Sequence, residues 1–150
     1  MNNRDKQNIL REKLKQALVS TARVISNDFR DKNSTDDNKN LKEFDILNLE
    51  NINSKSNFIK ARAEFDSAAL KKKFSSKEIF KQNLPVNSSC KSLYSIAEKT
   101  RYECLGSKML KGIEKNLKEN YKQIINLKRK DQLKTREDVS VIEAFELYML

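Results

Sequence analysis

The sequence predicts an all-α protein, an irregular helical domain of about five helices with a long polar linker after the first helix. Its 150 residues include only 2 Gly and 1 Pro, whereas strand-rich folds need many tight turns built on these residues. Apolar side chains recur at spacings of three and four through most of the chain, which is the period of an amphipathic helix. The length suits one modest core. We therefore expect an N-terminal helix in 1–26, a mobile linker in 27–56 and a helical domain in 57–150.

The first helix is predicted over residues 4–26, where Leu10, Leu14, Leu18 and Ile25 lie on one face. Lys and Arg fill the other face. Such a face could bind a partner, but we interpret it as a solvated helix surface.

A polar segment follows the first helix. Asp31–Asn40 reads DKNSTDDNKN and cannot bury enough apolar area to offset its ordering entropy, which predicts a mobile linker. Four apolar residues between Phe44 and Leu49 predict one short strand or docking turn within it.

The next helix is predicted over 57–73, where Phe65 and Leu70 lie on its apolar side. It ends in the run 71–73 of three lysines, at the negative end of the helix dipole. Either Ser75 or Ser76 can cap a short helix that follows and that ends before Pro85.

A long helix is predicted between Leu93 and Ile124, with Gly106 at the join of two apolar stripes. Gly106 marks either a bend or a close approach of another helix. A last helix is predicted after an N-cap at Thr135. The periodic pattern continues to Leu150 without a stop signal, which indicates either a truncated chain or a designed boundary.

The residue types exclude several kinds of site. There is no His, and the only cysteines are Cys90 and Cys104. On one helix they would be roughly 21 Å apart at about 1.5 Å per residue, and a disulfide needs about 7 Å or less. We therefore expect no catalytic or metal-ligating residues. The absence of a signal peptide and of an apolar run of about 20 residues predicts a cytoplasmic protein without a membrane span.

The formal net charge of +10 raises the question of a nucleic-acid partner. Lysine supplies most of the cations, whereas readers of phosphates and bases usually favour arginine. We therefore favour a solvated basic surface. A small basic nucleic-acid-binding or adaptor protein remains the alternative.

The segment Leu93–Leu117 reads LYSIAEKTRYECLGSKMLKGIEKNL and resembles the signature of the CobT family. Two runs within the segment carry the resemblance. The matching positions are Glu98, Arg101, Glu103, Leu105 and Gly106 in the first run, and Met109, Gly112, Asn116 and Leu117 in the second. Upstream and downstream segments are similar to the family as well, at Arg62, Asp66, Ala69, Leu70, Lys71, Pro85, Glu143 and Ala144.

The resemblance implies a subunit of the aerobic cobaltochelatase of cobalamin biosynthesis. That enzyme uses ATP, with magnesium, to insert cobalt into hydrogenobyrinic acid a,c-diamide. A CobS-like ATPase and a CobN-like large subunit are the implied partners. The family's acidic middle segment is absent from these residues, and so is its von Willebrand A domain with an Asp-x-Ser-x-Ser metal site. Where the family usually has a His-Asp pair, after the lysine-rich stretch, this sequence has Ser75 and Ser76 nearby. A non-catalytic helical part with no cofactor of its own is therefore implied.

Several matching or adjacent side chains are candidates for contact with partner subunits. They are Arg62, Asp66, Arg101, Glu103, Lys108 and Asn116. Arg101 and Glu103 could equally form pairs on the helix surface. For Asn116 we favour a cap or a buried hydrogen bond. For Gly106 and Gly112 we favour close helix packing over ligand contact.

Overall fold

The computed structural model of the chain describes residues 3–27, 54–131 and 139–149. Six helices make up almost all of these ranges: α1 Asn3–Ser26, α2 Lys55–Phe74, α3 Lys77–Gln82, α4 Ser88–Met109, α5 Lys111–Asp131 and α6 Val141–Met149. No strand occurs in the described ranges, so the all-α prediction is confirmed. The turn or strand predicted near Phe44, like most of the 27–56 linker, lies outside the described residues.

The central element is α2, which contacts α1, α4 and α5. Side chains on several sides of α2 are buried, because other helices pack against it from more than one direction. Phe65, Ala69 and Leu70 are the most deeply buried of them, each at most 1% exposed. Small residues such as Ala63 let the surrounding helices approach closely.

One core joins four of the helices. Its buried members are Leu18, Val19, Ala22 and Ile25 from α1, Ala63, Phe65, Ala69 and Leu70 from α2, Tyr102 from α4, and Ile113 and Leu117 from α5. The last helix, α6, packs against α4 without fully burying any of its side chains. Within the described part of the chain, no helix combines the length and the apolar character that crossing a membrane requires.

Four of the helices begin after a side chain whose oxygen accepts a hydrogen bond from a backbone N–H of the first turn. These caps are Ser54 for α2, Ser76 for α3, Asn87 for α4 and Ser140 for α6. Each satisfies a donor that the helix itself leaves unpaired. Ser140 directly precedes the apolar residues of α6, so that helix begins later than the predicted cap at Thr135. Thr135 itself lies outside the described residues.

The long helix predicted between Leu93 and Ile124 is two helices, which meet at Leu110 rather than at Gly106. Leu110 has an extended backbone, with φ −135° and ψ 106°. Its N–H donates to the carbonyl of Gly106 at 2.9 Å, and its own carbonyl accepts from the N–H of Ile113 at 3.0 Å. A single residue therefore ends α4 and begins α5 without a glycine or proline.

The two glycines have different surroundings. Gly106 is buried in α4, and a Cβ there would lie 2.2 Å from Cδ2 of Leu70, so α2 and α4 touch at this point. Gly112 is exposed, and a Cβ there would meet no atom within 4 Å. The close helix packing that we predicted at Gly112 is therefore wrong, because no neighbouring helix comes near enough to need it.

Replacing each glycine by alanine tests this difference. We expect Gly106→Ala to lower the free energy of unfolding by about 1–3 kcal/mol, because the buried Leu70 has no room to move away. Gly112→Ala should leave it unchanged or raise it by up to about 1 kcal/mol, because alanine favours helix and meets no clash. Equilibrium unfolding in urea, followed by circular dichroism, measures both. Equal stabilities of the two variants would contradict the close contact between α2 and α4.

Candidate functional site

A groove of about 270 Å³ lies between α2 and α5. Its lining comes from one face of each helix, at spacings of three and four residues. The lining residues are Phe58, Ile59 and Arg62 from α2, and Gly112, Lys115, Asn116 and Glu119 from α5. Gly112 contributes no side chain, and a Cβ at its position would meet no atom within 4 Å, so the groove is open there.

Asp66 lies beside this groove, one turn along α2 from Arg62. The side chain is 5% exposed, and its Oδ2 accepts a hydrogen bond from Nδ2 of Asn116 at 2.7 Å. Burial raises the pKa of Asp66, while the hydrogen bond from Asn116 and the charge of Arg62 act to lower it. Asn116 therefore both lines the groove and holds the buried carboxyl group.

The structure thus brings four of the predicted residues together from two separate segments. Arg62, Gly112 and Asn116 line the groove, and Asp66 binds Asn116. Asp66 is buried, so the prediction that it contacts a partner directly is wrong. Nothing in the sequence distinguishes Lys115 as a groove residue, since one lysine in a basic helix carries no signal of its own.

Glu103 lies inside the protein rather than on its surface. It is 5% exposed, and its carboxylate joins three helices: Oε1 accepts from Oγ of Ser67 in α2 at 2.5 Å, and Oε2 accepts from the hydroxyl of Tyr121 in α5. Glu103 itself belongs to α4. Glu103 is therefore neither a partner contact nor a member of a surface pair, and both predictions are wrong. Its carboxyl group is buried and accepts its hydrogen bonds from inside the protein.

Two phenols belong to this buried cluster. Burial is the main cause that raises the pKa of Tyr121, and the hydrogen bond to Glu103 and the charge of that carboxylate raise it further. Burial also raises the pKa of Tyr102, against the effect of its hydrogen bond with Ser67. The ammonium of Lys99 lies 5.5 Å from the ring centroid of Tyr121, within the range of a cation–π contact. Both phenols stay protonated at neutral pH.

Arg101 fastens the end of α2 to α4. Its Nη2 donates to the carbonyl of Phe74 at 2.6 Å, and its Nε donates to Oε2 of Glu98 at 2.7 Å. The hydroxyl of Ser75 donates to the other oxygen of Glu98 at 2.7 Å. Arg101 therefore satisfies a free carbonyl at the negative end of α2. Lys108 is exposed further along α4 and does not line the groove.

The described residues supply binding groups more readily than reacting ones. In the ranges that the structure describes, no cluster of three His, Cys, Asp or Glu side chains is arranged to hold a metal ion. Cys90 and Cys104 are exposed free thiols on α4. The groove instead presents a guanidinium, an ammonium, an amide and a carboxylate, which suit recognition of a polar partner.

The role of the Asn116 amide, which binds Asp66, can be tested by removing it. A raised carboxyl pKa means that the folded state holds the proton more tightly, so this group's contribution to stability falls as pH rises through the folded pKa. We expect Asn116→Ala to raise the pKa of Asp66 further, and to lower the free energy of unfolding by about 1–3 kcal/mol at neutral pH but by less in acid. Carboxyl titration by NMR and urea unfolding measure the two effects. Asn120→Ala, on the same helix, is the control and should change neither.

Removing the hydroxyl of Tyr121 tests the buried cluster. Because the folded pKa is raised above the unfolded value of about 10, the phenol's contribution to stability is present below that pH and is lost above it. Tyr121→Phe should lower the free energy of unfolding by about 1–3 kcal/mol at neutral pH. It should also lose less stability than the parent between neutral pH and alkaline pH. Urea unfolding across this range measures both, and the exposed Tyr148→Phe should behave like the parent.

Comparisons with known proteins place the chain in a family. No curated protein and no solved structure matches it. A family model described as cobalamin biosynthesis protein CobT matches residues 10–149. The match includes all of α2 and α5, and with them every residue of the groove. It also includes the segment Leu93–Leu117, whose two runs carry the resemblance. The chain therefore belongs to the CobT family of cobalamin biosynthesis proteins.

Proposed function

We propose that the chain is a non-catalytic subunit domain of the ATP-dependent cobaltochelatase that inserts cobalt into hydrogenobyrinic acid a,c-diamide. Membership of the CobT family supports a role in cobalamin biosynthesis. The observation that carries the subunit role is the α2–α5 groove, in which Arg62, Gly112 and Asn116 meet from two segments that resemble the family. These residues can bind and orient, but none of them is a nucleophile.

The partner subunits would carry out the chemistry. A CobS-like ATPase would bind ATP and magnesium, and a CobN-like large subunit would hold the tetrapyrrole that receives cobalt. The domain described here would contribute contacts that assemble them, in the cytoplasm. Its exposed groove and its basic helix faces are suited to such contacts, since assembly needs surface complementarity rather than reactive groups.

A nucleic-acid-binding protein is the alternative, motivated by the charge of +10. The surface of α5 supports nucleic-acid binding less well than protein binding, because acidic side chains lie between its lysines. Glu114 pairs with Lys118 at 2.5 Å, and Glu119 lines the groove. Single-strand binding also relies on exposed aromatic rings. Of the four tyrosines only Tyr148 is exposed, and it lies on α6 rather than on α5.

Reconstitution tests the proposed function. The chain, mixed with the CobS-like and CobN-like subunits of the same organism and with ATP and magnesium, should elute with at least one of them in size-exclusion chromatography. Without the partners it should bind no cobalt and hydrolyse no ATP. Separate elution under all conditions would refute the subunit role. Salt-dependent binding to an oligonucleotide, without any complex with the subunits, would favour the alternative.

A further inference from the structure

We infer that the α2–α5 groove binds an acidic segment of a partner protein. A carboxylate of that segment would lie between Arg62 and Lys115, and a neighbouring apolar side chain would cover Phe58 and Gly112. The inference deepens the proposed function and rests on it, because it takes the chain to work as a subunit and names the chemistry of what it binds.

Two cations on different helices line the same groove. Arg62 and Lys115 are both exposed, and neither has a hydrogen bond or an ion pair with any residue in the described ranges. Arg101 and Lys118 differ, since Glu98 and Glu114 bind them at 2.7 Å and 2.5 Å. The cations of the groove are therefore available to an external anion.

The geometry of the groove suits a carboxylate next to an apolar group. A guanidinium binds a carboxylate through two parallel hydrogen bonds, and an ammonium on the opposite helix adds a point charge. Phe58 is half-buried, which leaves part of its ring for an apolar neighbour. Gly112 has no atoms near its missing Cβ, so nothing blocks the approach.

The size of the groove suits a side chain. Its volume of about 270 Å³ is below the roughly 300–1,000 Å³ that is usual for small-molecule sites. The groove therefore has room for one or two side chains of a segment that continues along the surface. A complete nucleotide or tetrapyrrole would project out of it.

Charges around the groove favour a protein over a nucleic acid. The carboxylate of Glu119 lies in the groove one helical turn from Lys115, where it would repel an unbroken phosphate backbone. A peptide can place a neutral or basic group opposite Glu119. Further along α5, exposed Lys111 and Lys122 add a positive field that attracts an acidic segment during encounter.

The groove can be tested on the chain alone. The probe is a short fluorescent peptide of alternating Glu and Leu, and its control carries Gln in place of Glu. We expect the acidic probe to bind more tightly than the control, with an affinity that falls as salt rises. The double variant Arg62→Gln/Lys115→Gln should bind it about tenfold more weakly or worse, since hydrogen bonds to charged groups are lost. Lys81→Gln/Lys91→Gln removes the same charge elsewhere and should bind like the parent.

A second variant separates the groove from the overall charge. Gly112→Leu adds an apolar side chain to the groove without changing the charge, and its Cβ would meet no atom within 4 Å. It should therefore abolish probe binding, while its unfolding midpoint in urea stays at or above that of the parent, since leucine favours helix more than glycine does. Equal binding of the probe by the parent, the double variant and Gly112→Leu would overturn the inference. So would failure of the acidic probe to bind the parent at low salt, or an oligonucleotide that competes for the groove at lower concentrations than the probe.

The same variants in the reconstituted assembly distinguish the two proposals. A complex that the parent forms and that Arg62→Gln/Lys115→Gln weakens about tenfold supports both. A complex that survives in the double variant and in Gly112→Leu overturns the groove inference and leaves the proposed function standing. No complex with the parent, together with groove-dependent binding of the acidic probe, overturns the proposed function and leaves the groove as a site for acidic segments of another partner.

Discussion

The buried carboxylate of Glu103 fixes how α2, α4 and α5 lie relative to one another. It receives hydrogen bonds from Ser67 on one neighbouring helix and from Tyr121 on the other. Hydrogen bonds are strong in the protein interior, and leaving a buried polar group without its partner costs stability. These bonds therefore hold the three helices at a fixed distance from one another. The groove between α2 and α5 depends on this spacing, because both of its walls are tied to the same group.

The two carboxyl groups that are buried in the described ranges both accept hydrogen bonds from neutral donors. Asp66 accepts from the amide of Asn116, as Glu103 accepts from two hydroxyls. Within the residues that the structure describes, these two carboxyl groups are satisfied by hydrogen bonds, and no arginine or lysine is buried beside them. The cations remain outside, where Arg62 can influence Asp66 at a distance and still present its guanidinium to solvent. Neutral donors thus satisfy the carboxyl groups at the centre of a chain whose net charge is +10.

Periodicity predicted most of the helices, and the polar residues before the short helix predicted a cap at Ser75 or Ser76, of which Ser76 is the cap. The break at Leu110 could not be predicted from the sequence, since no glycine or proline marks it and leucine is common inside helices. Burial of Glu103 was equally invisible, because a glutamate in a basic helix is expected to face water. The groove is a tertiary feature: its walls come from distant segments, and the only sequence signal that links them is that both resemble one family.

The junction at Leu110 also sets the rotational phase of everything that follows it. Each residue of an α-helix turns the chain by about 100°, so the number of residues between the last turn of α4 and the first turn of α5 decides which side of α5 faces α2. With one extended residue, Ile113 and Leu117 enter the core and Gly112 comes to the open edge. A chain with one residue more or fewer at this point would keep both helices and their composition, yet it would present a different face of α5 to α2.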